Sequence, residues 1–170
     1  MLFRSCEINQ LTSLDVSNNT ALTYLHCSHN QLTSLDVSNN TALWSLDCSY
    51  NQLTSLDVSN NTALTGLGCV GNQLTSLDVS NNTALTNLGC SDNQLTCLNL
   101  KNGNNNNMVA MYADDNPNLT CIEVDDAAWT VANTNIDSIA SFSEDCNNLC
   151  SSTTGIPELS TSATQLLYIT

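Results

Sequence analysis

Residues 11–22 read LTSLDVSNNTAL, and the same twelve letters return at 32–43, 53–64 and 74–85. Identity at a fixed spacing of 21 residues marks a repeat architecture, in which each unit buries its apolar face against the next rather than in one central core. Each period holds two similar halves, L-x-x-L-x-V at 11–16 and L-x-x-L-x-C at 22–27. In an extended chain Leu14 and Val16 point to one side while Ser13, Asp15 and Ser17 point to the other, and Leu25 and Cys27 repeat the pattern. One coil is therefore expected to carry two short strands. Coils stacked at about 4.8 Å build two parallel sheets around columns of Leu, Val and Cys.

Two further columns are asparagine. Asn19, Asn40, Asn61 and Asn82 form one; Asn9, Asn30, Asn51, Asn72, Asn93 and Asn116 form the other. A carboxamide both donates and accepts, so stacked Asn side chains can serve the backbone groups that each turn leaves unpaired.

The two basic residues, Arg4 and Lys101, face sixteen acidic ones in 170 residues, for a formal charge of -14. Such a surface repels polyphosphates and anionic lipid, so nucleic acid is excluded as an expected partner. No apolar stretch is long enough to span a bilayer, and Met1 to Gln10 lacks the apolar run of a signal peptide. Neither membrane insertion nor a cofactor is expected, and the chain is read as a monomer.

The pattern L-x-x-L-x-L-x-x-N is the signature of leucine-rich repeats. The stretch from Cys6 to about Val124 resembles the short bacterial subclass with two nested half-motifs in 21 residues. Runs such as LTSLDVSNNTALTYLHCSHNQ are similar to repeats in secreted proteins of Bacteroidetes-type bacteria. The resemblance implies a mainly β leucine-rich-repeat solenoid over 1–124. A C-terminal cap with a short helix follows over 125–150, with Asp125 or Asp126 capping a helix through Ala127, Ala128 and Trp129. The tail 151–170 is a linker that resembles the truncated start of a type IX secretion sorting domain, which implies a secreted or cell-surface parent protein. At the other end Arg4 falls where the repeat calls for Leu, and no N-terminal cap is legible, so the chain is expected to be part of something longer.

Five of the nine cysteines, Cys6, Cys27, Cys48, Cys69 and Cys90, share one inward column and read as buried free thiols. Cys97, Cys121, Cys146 and Cys150 lie outside it, where disulfides would fasten a segment short of stacking neighbours. The resemblance implies Cys121 with Cys146 and Cys97 with Cys150. Repeat geometry offers a rival, because Cys97 and Cys121 share an outward column on adjacent coils.

The outward positions of the first half are monotonous: Ser13, Ser34, Ser55 and Ser76, then Asp15, Asp36, Asp57 and Asp78. This column reads as a solvated acidic ladder; an alternative is weak calcium collection by its carboxylates. The second half is where coils differ. Its outward set includes Tyr24, His26, His29, Trp44, Asp47 and Tyr50, whose rings and polar groups suit a protein or glycan ligand. With two histidines in all and no nucleophile in a recognisable setting, no enzymatic activity is expected. The two functional expectations are a recognition module acting through the variable face and a rigid spacer or adhesin segment.

Overall fold

A computed structural model describes residues 2–146; the expected linker and sorting-domain start at 151–170 lie outside them. The chain winds as a succession of coils whose second halves align in a seven-stranded, all-parallel sheet. Its strands are β1 (Leu2–Ser5), β2 (Leu22–His26), β3 (Ser45–Asp47), β4 (Gly66–Gly68), β6 (Asn87–Gly89), β8 (Ala110–Tyr112) and β10 (Asn133–Asn135). Register is kept without slips from β2 onward, so Leu25, Leu46, Leu67, Leu88 and Met111 stand in one line. All five are buried in a continuous core with Cys27, Cys48, Cys69 and Cys90. Arg4 pairs with Leu25 in the register that the repeat predicts.

The first halves behave differently from expectation. A second sheet forms only from the fourth identical dodecapeptide onward, with β5 (Ser76–Asp78), β7 (Cys97–Asn99), β9 (Cys121–Glu123) and β11 (Ser141–Ser143). The dodecapeptides at 32–43 and 53–64 are identical to that at 74–85, yet they contain no strand. The cause therefore lies in the stacking neighbour, not in the local sequence. Asp36 and Asp57 have an Asp at the equivalent position on both adjoining coils, and like charges at strand spacing repel. Asp78 instead faces Asn99 across the β5–β7 pair. The sheet begins where the Asp column ends. Upstream of it clefts of about 390 Å³ lie between Asp36 and Asp57 and of about 440 Å³ between Asp57 and Asp78. Leu35 and Leu56 beneath them are each 8% exposed, against 1% for Leu77.

Both asparagine columns connect coils. Asn51 Oδ1 accepts from the Leu32 amide at 3.0 Å, while its Nδ2 donates back to the carbonyls of Cys27, Cys48 and Ser49. Asn30, Asn72, Asn93 and Asn116 repeat this arrangement coil by coil. In the other column, Asn40 Nδ2 donates to the carbonyls of Val16 and Asn19 on the preceding coil, and Asn61 and Asn82 do likewise.

The C-terminal segment corrects the expected helix. Asp126 Oδ1 accepts from the Ala128 amide at 2.8 Å and its carbonyl accepts from the Trp129 amide at 2.9 Å, which closes a turn rather than starting a helix. Three helix-compatible residues precede β-branched Thr130 and Val131, too few to recover the cost of nucleation. The chain makes another coil instead: β10 pairs with β8 and β11 with β9. Trp129 does cover the end of the core, buried and edge-on to Phe142 with centroids 5.3 Å apart. Asp137 takes the place of the next ladder asparagine, accepting from the amides of Asp115 and Asn116. A carboxylate accepts but does not donate, so the ladder ends there. Helical structure among the described residues is confined to a 3₁₀ turn, Asn105–Asn107, inside the lengthened connection that follows Leu100.

Replacing Asn51 with Leu removes one acceptor and three donated bonds at a fully packed junction. It should lower stability by roughly 1–3 kcal/mol, read as a shift in the chemical denaturation midpoint with an unchanged slope; an unmoved midpoint would contradict the ladder's role.

Candidate functional site

The outward face of the seven-stranded sheet is built from two residue columns. One runs Tyr24, Ser45, Gly66, Asn87, Ala110; the other runs His26, Asp47, Gly68, Gly89, Tyr112. The columns change size along the solenoid. Over the first coils they carry rings: Tyr24 lies 4.3 Å from His26 and 5.5 Å from Trp44, centroid to centroid. His26 Nδ1 is 3.9 Å from Glu7 Oε2. Farther along, the side chains shrink to glycine and alanine, leaving a groove of about 310 Å³ bordered by Ser45, Asp47, Gly66, Gly68, Gly89 and Tyr112. Asp47 leans over it, since a Cβ at Gly68 would come within 3.0 Å of Asp47 Oδ1. That carboxylate is fixed by the Ser49 amide at 3.0 Å.

The structure separates the expected contact residues into two groups. Tyr24, His26 and Asp47 stand on the sheet face and Trp44 immediately before β3 against Tyr24, whereas His29 and Tyr50 stand on the turn that follows the strands, stacked at 4.5 Å with an interplanar angle of 16°.

This turn exposes a feature that sequence reasoning missed. The residue before each ladder asparagine has a left-handed backbone: Ile8, His29, Tyr50, Gly71, Asp92 and Asp115 all have φ between 53° and 65°. Such a conformation costs most residues about 1–2 kcal/mol and is the ordinary province of glycine, with Asn and Asp tolerated. Gly71 in this column was the signal that could have revealed it. Ile8 at 77% exposure and Tyr50 at 48% are unexpected there, and Trp44 immediately before β3 is 39% exposed. The Tyr50 ring lies over Gly71, where a Cβ would come 2.6 Å from Tyr50 Cδ1.

The opposite face offers less chemistry. The carboxylates of Asp15, Asp36 and Asp57 accept from the Ser17, Ser38 and Ser59 amides at 2.9 Å. Hydrogen bonds from these serines, side chain first and backbone second, hold the three carboxyls below their usual range. They are anionic at neutral pH and each is already engaged in its own turn. Among the described residues no group of three His, Cys, Asp or Glu side chains is arranged to hold a metal ion.

Cys27, Cys48, Cys69 and Cys90 are fully enclosed and Cys6 is half-buried at the first coil. Burial is the main cause that pushes the Cys27 and Cys90 thiols up to about 12, with Cys6 and Asp47 adding to it at Cys27 and Asp114 at Cys90. Cys48 and Cys69 are raised well above the ordinary value by the same burial. Cys6 is raised by burial and then by Glu7. Outside the ladder, Cys121 and Cys146 form a disulfide with Cα atoms 5.9 Å apart. Cys97, beside Cys121 in register, is disulfide-bonded as well rather than joined to Cys121; Cys150 lies outside the described residues. A thiolate-selective reagent added to the native protein at pH 8 should modify Cys6 first, with the other four ladder thiols reacting only on denaturation. Equal native rates at all five, measured by peptide mass mapping, would contradict their burial.

No helix among the described residues is long and apolar enough to cross a membrane. No family model matches the chain, and no curated protein matches it. Solved structures do. The functional domain of InlJ from Listeria monocytogenes, described as including a cysteine ladder, superposes with a TM-score of 0.63 at 31% identity over 79% of this chain. The internalin InlF from Listeria monocytogenes strain 4b F2365 superposes with a TM-score of 0.62 at 22% identity over 86%. This chain spans 35% and 48% of those two structures. The protein is thus a mainly β, parallel-stranded leucine-rich-repeat solenoid whose architecture is shared with Listeria internalins.

Proposed function

We propose that this chain is a non-enzymatic recognition module that binds a protein or glycan ligand through the variable sheet face and its adjoining turn. The contact set is Tyr24, His26, His29, Trp44, Asp47 and Tyr50. One observation carries the reading. The inward columns and the Ser and Asp columns of the first four coils are uniform, while the outward columns of the seven-stranded sheet vary from rings to glycine within a fixed register. Large side chains beside a groove of small ones give a surface with relief, and aromatic rings bring contact area at low entropic cost. The likeness to internalins supports an interaction or adhesin-type role.

A second reading has its own support. Strict repetition of the dodecapeptide produces a rigid rod, which is what a spacer or adhesin segment of a larger protein requires. The Cys121–Cys146 disulfide favours an oxidising compartment, and so a secreted or cell-surface location, under either reading.

The discriminating experiment screens the purified chain against a glycan array and a panel of purified surface proteins, then repeats each hit with Trp44→Ala and Tyr24→Ala. At least a ten-fold loss of affinity, about 1.4 kcal/mol, is expected for each variant. Binding that both variants leave intact would defeat the sheet-face reading, and the absence of any hit would favour the spacer.

A further inference from the structure

Across the C-terminal ends of the variable sheet's strands, the left-handed turn positions form a ridge whose character changes from one end to the other. It begins with Ile8, His29 and the Tyr50 ring that covers Gly71, and it ends with Asp92 and Asp115. Asp114 adds a third carboxylate beside that end, where it accepts from the Ser91 hydroxyl. The ridge therefore carries Ile8 and two stacked rings over its first three coils, with Glu7 beside Ile8, and carboxylates over its last two. At coil spacing its six positions extend about 24 Å, the reach of about seven residues of extended chain.

We propose that this ridge docks an extended segment of a partner protein that carries apolar side chains followed by lysines or arginines. The assignment rests on the recognition reading and deepens it by naming the partner and the turns it uses. Three observations favour a polypeptide. Large apolar groups stand exposed at positions whose backbone suits Gly, Asn or Asp, so local structure does not call for them. Alternate apolar side chains of an extended segment that crosses the strand ends can rest on Ile8 and on the His29–Tyr50 stack. Asp92, Asp114 and Asp115 then meet the basic half, and the chain contributes only Arg4 and Lys101 as basic residues of its own to compete.

The backbone makes a clean test possible, because Asn is well tolerated in the left-handed region. His29→Asn with Tyr50→Asn removes the rings, and Asp92→Asn with Asp115→Asn removes two charges, each without disturbing the turn. Asp36→Asn with Asp57→Asn removes the same charge from the opposite face. Probes are a fluorescein-labelled nine-residue peptide with Leu and Phe in its first half and Lys and Arg in its second, and the same peptide with Glu replacing the basic residues. By fluorescence anisotropy the basic peptide should bind, the Glu peptide should not, and each ridge pair should weaken binding at least ten-fold. The Asp36/Asp57 pair should leave it within two-fold. Equal weakening by the Asp36/Asp57 pair, binding of the Glu peptide, no binding at all, or displacement by neutral oligosaccharide would each overturn the proposal. Trp44→Ala separates the ridge from the rest of the contact set: loss with Trp44→Ala but not with the ridge pairs overturns the ridge and leaves the sheet-face contacts standing, and loss with the ridge pairs but not with Trp44→Ala supports the ridge and removes Trp44 from the contact set.

Discussion

Each coil is tied to the one before it through an asparagine carboxamide, and the rest of the structure depends on that tie. Asn30, Asn51, Asn72, Asn93 and Asn116 accept from an amide of the preceding coil and donate to carbonyls of both coils. The chain turns inward at these positions, where water is excluded and an unpaired backbone group would be costly. Because the bonds bridge coils, each coil's fold is conditional on its neighbour. The left-handed residue that precedes each asparagine follows from the same requirement, since the backbone must reverse sharply to aim the amide into the stack.

That dependence explains why the repeat was legible and its interruptions were not. The two Asn columns, the Leu and Cys columns and the strands of the seven-stranded sheet all follow from a period of 21 residues. The second sheet could not be read that way, because identical letters at 53–64 and 74–85 take different structures according to whether the next coil offers Asp78 or Asn99. Local pattern carries no information about a charge opposed on the adjoining coil. The cap helix failed for a related reason: Asp125 or Asp126 suits a helix cap, but the Asp126 side chain closes a turn just as well, and the pairing of β10 and β11 with the existing sheets decided the outcome. The expected contact residues were found in the right half of each coil, yet the split between sheet face and turn ridge was invisible without the backbone.

The two faces follow from one division of labour. The Asp-bearing half forms no strands where carboxylates oppose one another, while the seven-stranded half stays paired throughout, so the paired side is the fixed platform. Variation is tolerated on that platform because its frame is held from beneath by the ladder and the Leu column, not by the outward side chains. Rings over the first coils and glycines over the next can thus change without loss of register. The half-buried Cys6 and the enclosed thiols behind it belong to the frame, and the Cys121–Cys146 disulfide fastens the last of the described coils, where Asp137 stands in the ladder position.

Native-state hydrogen exchange at the amides of Leu32, Leu53, Leu74 and Leu95 tests this account most directly, since each donates to the ladder asparagine of the following coil. If inter-coil asparagine bonding holds the solenoid together, these turn amides should be as protected as those of Leu46 and Leu67 in the sheet and should open with them as one cooperative unit. Exchange at the rate of exposed loop amides, with the sheet still protected, would show that the strands alone sustain the fold and would contradict the account.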